Sequence, residues 1–100
     1  LRAEYAVMLN DMAFSLTPAA IETLAALAEA RMDDEMLTGA ELEAVISGKL
    51  AADCDEAAGA TRIKRLRDAM GNQLVAELLV KNIARKGYML SVPPERVRVD

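Results

Sequence analysis

Four cations fall within six residues at Arg62, Lys64, Arg65 and Arg67, interleaved with Ile63 and Leu66 and followed one turn later by Met70. Such groups bind anions. A guanidinium fork matches guanine O6 and N7 or a phosphate, while an ammonium neutralises phosphate as a point charge. At about 100° per residue, Ile63, Leu66 and Met70 share one helix face with Gly59, and Thr61, Arg65 and Asp68 lie opposite. Arg62 and Lys64 flank the outward face. Arg67 sits at the apolar edge, its stem over a core and its guanidinium free for solvent or a phosphate. Thr61, Arg62, Lys64, Arg65 and Arg67 are therefore candidate contacts to a polyanion. The same pattern also fits a solvated helix face with no ligand.

Charge is distributed unevenly around this run. Residues 1–60 carry three bases against twelve acids, a net of −9, whereas residues 61–100 carry nine bases against four acids, a net of +5. Local field steers a polyanion more than net charge does, so the asymmetry favours a nucleic-acid or membrane surface in the second part. The whole chain is nonetheless acidic, with a pI near 4.8, and isolated DNA-binding domains are commonly basic.

Composition narrows the chemistry. One hundred residues, 53% of them apolar, suit one domain whose alanine-rich helices pack closely around a few Leu, Ile, Val and Met side chains. Phe14, Tyr5 and Tyr88 are the only aromatics, too few for a base-stacking platform on single strands. There is no histidine and a single cysteine, Cys54. This excludes an intrachain disulfide, the usual Cys/His zinc sites and histidine acid–base catalysis. No cofactor or metal is expected. Asp33-Asp34-Glu35 reads as a solvated acidic loop rather than a cation site, and no nucleophile–base pair is visible, so the chain does not read as an enzyme. No run approaches the roughly 20 apolar residues of a membrane span, and no signal-peptide pattern opens the chain. The expectation is a cytoplasmic protein without a membrane partner, and Leu1 in place of Met suggests a trimmed or excised segment.

The elements that must hold the basic run can be read in order. Residues 6–16 form two extended runs around an Asn10-Asp11 turn, a short N-terminal hairpin. Thr17-Pro18 is a hydroxyl N-cap with proline at the first helical position, and Ile21, Leu24, Leu27 and Ala28 carry that helix to about Arg31. Met36-Leu37 pairs briefly as a strand. Thr38-Gly39-Ala40-Glu41 fits a capping box opening a second helix to Leu50 that buries Leu42, Val45, Ile46 and Leu50. Asp55 caps a third helix, which Gly71-Asn72 stops. Residues 73–77 extend a helix or form a loop. Residues 78–83 and 88–92 then make a C-terminal hairpin around Ala84-Arg85-Lys86-Gly87, with Gly87 supplying a positive φ. The domain spans 1–92, and 93–100 is a loose or docking tail.

This order resembles a winged helix-turn-helix of α+β, mainly α class, with three helices, a short N-terminal hairpin and a C-terminal β-hairpin wing. Leu16-Thr17-Pro18, Leu37 to Leu42, Ile63 to Arg67 with Met70-Gly71, and Gly87-Tyr88 resemble the OmpR/PhoB-type response-regulator effector domain over about residues 12–92. The resemblance implies sequence-preferring binding of double-stranded DNA by a transcriptional regulator, the third helix in the major groove and the wing near the minor groove. By position it gives the base-reading role to Arg65 and backbone contacts to Lys64, Arg67 and Arg62. The wing arginine has no counterpart: Ala84 stands there, leaving Lys81, Arg85 and Lys86 as the hairpin's candidate contacts. It also implies a homodimer on DNA and contact of the acidic first part with RNA polymerase or a regulatory partner domain. Where the family opens its third helix with polar readers, this chain has Ala57-Ala58-Gly59-Ala60. The competing reading is a winged-helix protein-interaction module that docks its basic helix on an acidic partner.

Overall fold

The computed structural model describes residues 3–99. Leu1, with the expectation of a trimmed start, Arg2 and Asp100 of the expected tail lie outside the described residues. The chain folds as an N-terminal hairpin, four helices, a second hairpin and a returning strand, an α+β arrangement that is mainly helical.

Strands β1 (Tyr5–Leu9) and β2 (Met12–Leu16) pair antiparallel with Leu9 opposite Met12. The two-residue turn relies on Asn10, whose φ of 59° is left-handed geometry that asparagine tolerates. Helix α1 (Pro18–Met32) starts as its sequence dictates: the Thr17 hydroxyl accepts from Ala20 N–H at 3.3 Å. Helix α2 (Gly39–Ser47) opens with the full capping box, Thr38 accepting from Glu41 N–H at 3.1 Å and Glu41 from Thr38 N–H at 3.0 Å. It ends earlier than periodicity predicts, because Gly48 turns left-handed at φ 76°. Leu50 therefore leaves the helix and Val45 faces outward, the two being 73% and 55% exposed, so only Leu42 of the four expected residues is fully buried and Ile46 packs at the core margin.

A short 3₁₀ turn at Ala51–Asp53 leads to α3 (Glu56–Ala69), with Asp55 at the N-cap position in extended conformation but, contrary to expectation, with no capping hydrogen bond from its side chain. A fourth helix then appears, α4 (Gln73–Leu79), capped by the Asn72 carboxamide accepting from Val75 N–H at 3.1 Å. Of the run 78–83 that reads as strand, Leu78 and Leu79 instead close this helix and the strand begins at Val80; Ala76 and Leu79 are buried three residues apart, a helical spacing that a continuous apolar run conceals. Strands β3 (Val80–Ile83) and β4 (Gly87–Leu90) form the second hairpin, with Ile83 opposite Gly87. Leu37 joins its edge: Leu37 N–H donates to Tyr88 O at 3.1 Å and Tyr88 N–H to Leu37 O at 2.6 Å. A Cβ on Gly87, at φ 127°, would sit 2.4 Å from Leu37 O, so glycine is required by both conformation and space.

The tail is not loose. After a 3₁₀ turn at Pro94–Arg96, β5 (Val97–Val99) pairs antiparallel with β1 and makes a three-stranded sheet of order β2-β1-β5. The valine alternation supplies the signal, with Val97 opposite Leu9 and Val99 opposite Val7 on one sheet face. The core beneath is Val7, Leu9, Leu16, Leu24, Leu27, Leu42, Ile63, Leu66 and Leu90, all essentially inaccessible to water. Each such side chain contributes about 1.5–3 kcal/mol. Among the described residues no helix is long and apolar enough to cross a membrane.

Candidate nucleic-acid interface

Helix α3 buries Gly59, Ile63, Leu66 and Met70 and exposes Thr61, Lys64, Arg65 and Asp68, as a 3.6-residue period requires. Its first turn is fixed by two glycines. A Cβ on Gly59 would lie 1.9 Å from Gly39 O, and one on Gly39 would lie 2.3 Å from Glu56 O, so α2 and α3 cross in near backbone contact. Glu56 uses that proximity. Its carboxylate accepts from Gly39 N–H at 2.7 Å and Ala40 N–H at 3.2 Å, satisfying the free amides at the positive end of α2. The small residues at the start of α3 thus include a helix-packing position, at Gly59, rather than an entirely open surface.

The four cations of α3 differ sharply in availability. Arg62 turns back to α2, where its Nε donates to Glu43 and its Nη2 donates to Glu43 Oε1 at 3.3 Å. The pair is partly shielded, with 27% and 20% of the two side chains exposed. The hydrogen bond from Arg62 holds the Glu43 carboxyl below the usual carboxylate range against the opposing effect of burial, and that bond raises Arg62 in turn. Arg67 lies under the second hairpin, donating through Nε at 3.1 Å and through Nη2 to the carbonyl of Val80. That places its guanidinium at the α4–β3 junction, half-buried, rather than out toward a phosphate. Lys64 is exposed and meets Asp68 at 2.9 Å across one helical turn. Arg65 alone of the four has a side chain that makes no hydrogen bond or ion pair among the described residues.

Arg65 and Arg62 border a recess of about 70 Å³ with Thr17, Ala19, Ala20 and Thr23 of the α1 start. Thr23, buried, donates to Ala19 O at 3.3 Å. On the other flank a cleft of about 480 Å³ runs between α3, the start of α4 and Tyr88, lined on the helix side by Ala60, Ile63, Lys64, Arg67 and Asp68. Half-buried Tyr88 packs against the core beside this cleft, its strand β4 leaning on α1, and the hairpin meets α3 through the Arg67 bond to Val80 O.

The hairpin supplies the second set of cations. Lys81 is exposed on β3, and Arg85 and Lys86 are exposed at the tip. Lys86 N–H closes the turn on Ile83 O at 3.0 Å, with Arg85 held at φ 68°, a left-handed conformation that costs a non-glycine residue about 1 kcal/mol. Arg62 and Arg67 thus serve internal contacts, Lys64 is shared with Asp68, and Arg65, Lys81, Arg85 and Lys86 stand free of side-chain partners among the described residues. Sequence reasoning missed Glu43 and Glu56, since partners 19 and 17 residues away leave no local spacing. Asp68 was visible as the i+4 neighbour of Lys64. Searches for similarity found no matching family model, curated protein or solved structure.

Proposed function

We propose that this domain binds double-stranded DNA as a winged helix-turn-helix, with α3 in the major groove, the β3–β4 hairpin against the adjacent minor groove, and a role in transcriptional regulation. The carrying observation is Arg65: an exposed guanidinium with no internal partner, on the α3 face opposite the buried Ile63 and Leu66. A free planar fork in the major groove pairs with guanine O6 and N7. Exposed Lys81, Arg85 and Lys86 supply phosphate neutralisation from the hairpin, and the Leu37–Tyr88 bridge ties that hairpin to the segment between α1 and α2.

Electrostatics set the strength of this interaction. Acidic residues concentrated in the first part of the chain are screened beyond about 8 Å at cellular ionic strength, so binding is modest and salt-sensitive rather than absent. The test is selection from a mixed duplex pool across a salt series, with Arg65→Ala alongside. Arg65→Ala should cost about 1–3 kcal/mol and relax preference at one base step. An equal loss on every sequence would contradict base reading. Failure to bind any duplex at low salt would leave the basic helix to an acidic protein partner.

A further inference from the structure

Asp68 is an acid where a polyanion-binding helix would gain most from a base. It lies three residues beyond Arg65, on the outward face of α3, and is 65% exposed on its side chain. Among the described residues its side chain has one polar partner, Lys64, Nζ to Oδ2 at 2.9 Å, with Lys64 itself 75% exposed. Arg62 and Arg67 are already held by Glu43 and the Val80 carbonyl. Asp68 therefore bears on the remaining exposed cations of the helix, Lys64 directly and Arg65 one turn away.

Building on the duplex-binding reading above, we propose that Asp68 is a specificity determinant of α3: it accepts from the N4 amino group of a cytosine near the guanine read by Arg65, and it withholds Lys64 from the phosphates. Three residues of helix advance about 4.5 Å, one to two of the roughly 3.4 Å steps of a DNA strand, so the two side chains address neighbouring base pairs. A carboxylate in the major groove is satisfied by an amino donor and repelled by the acceptors of guanine and the O4 of thymine. That repulsion is selection against wrong sequences. The Lys64 contact acts on non-specific affinity, since a lysine neutralised within its own helix displaces no counterion from the duplex.

The experiment is selection from the mixed pool with the wild-type domain, Asp68→Asn, Arg65→Ala, Lys64→Ala/Asp68→Asn and Asp33→Asn, the last making the same charge change in a distant loop. Asp68→Asn should lose cytosine preference within two base pairs of the position lost in Arg65→Ala. It should also bind random duplex more tightly, by up to about five-fold, the upper worth of an exposed ion pair, and steepen the salt slope by about 0.9. Removing Lys64 as well should abolish the gain and the steepening. An unchanged motif with an unchanged slope overturns the proposal, as does an equal gain from Asp33→Asn. Absence of binding by every variant at low salt overturns the duplex-binding reading itself and this inference with it, which separates the two failures.

Discussion

Helix α3 and the β3–β4 hairpin are both basic, yet they use their charges in opposite ways. On the helix, Arg62 binds Glu43 and Arg67 binds the Val80 carbonyl, so two guanidinium groups hold α3 to α2 and to the hairpin. On the hairpin, Lys81, Arg85 and Lys86 are exposed, and Arg85 keeps a left-handed backbone at φ 68° in the turn, its side chain making no bond among the described residues. Charge counted in a sequence is therefore not charge available to a partner. The helix turns cationic side chains into structure, and the hairpin keeps them for the surface at a cost in backbone energy.

Substitutions should separate the two regions by the sign of their effect on stability. The largest effect is expected at the support of α3. Gly59→Ala places a Cβ against the Gly39 carbonyl at a 1.9 Å approach, which α2 can meet only by moving away, at a cost of about 3 kcal/mol. Thermal unfolding measures it, and a wild-type melting temperature would mean that the helices do not cross as described. Next comes Arg67→Ala, which leaves the Val80 carbonyl without its guanidinium donors and should cost about 1–3 kcal/mol. Loss of DNA affinity with unchanged stability would instead return Arg67 to the phosphate-facing role that its sequence position suggests.

Arg85→Gly should do the reverse. Glycine takes the positive φ without strain, so the variant gains about 1 kcal/mol of stability while the salt slope of duplex binding falls by about 0.9. Stability that rises together with affinity would remove the hairpin tip from the contact surface. The contrast between Arg67 and Arg85 is the direct test of the division of labour between the two regions.

What could be read in the sequence follows the range of the interactions. Thr17-Pro18, the Thr38–Glu41 box, the Asn10-Asp11 turn and the outward position of Arg65 are fixed by neighbours within four residues, and the structure has them all. The fourth helix is only half legible, residues 73–77 reading equally as helix or loop, because its inward face is Ala76 and Leu79 while Leu74 and Leu78 are 75% and 66% exposed. Val97–Val99 return to β1; the valine alternation marks a strand, but its partner lies far off in the sequence and no local pattern names it. For the site, helical periodicity separated exposed from buried positions but gave no means of telling a free arginine from an engaged one. Periodicity sets Arg62 beside the outward face, but its acceptor lies on another helix; it sets Arg67 at the apolar edge, where the structure has it, but the acceptor that takes its guanidinium from solvent is a backbone carbonyl, invisible to any reading of side-chain types.

The smallest effect is expected at the Glu43–Arg62 pair, and pH resolves it. Arg62 holds the Glu43 carboxyl below its ordinary value of 4.5, so the folded state favours the carboxylate and the unfolded state binds the proton more readily. The stabilisation from this pair is accordingly complete above about pH 4.5 and disappears as pH falls through the lowered folded value. Glu43→Gln cannot titrate. Its melting temperature should lie slightly below wild type at pH 7, and the gap should close on acidification because only the wild type loses the charged pair. Curves that stay parallel through the whole acid transition would mean that the two side chains are solvated separately. The same variant sharpens the comparison between helix and hairpin, since it removes the charge that neutralises Arg62 while leaving an oxygen to accept from it: on the proposed duplex reading the salt dependence should steepen, α3 then presenting one more uncompensated guanidinium, as the hairpin does with Arg85.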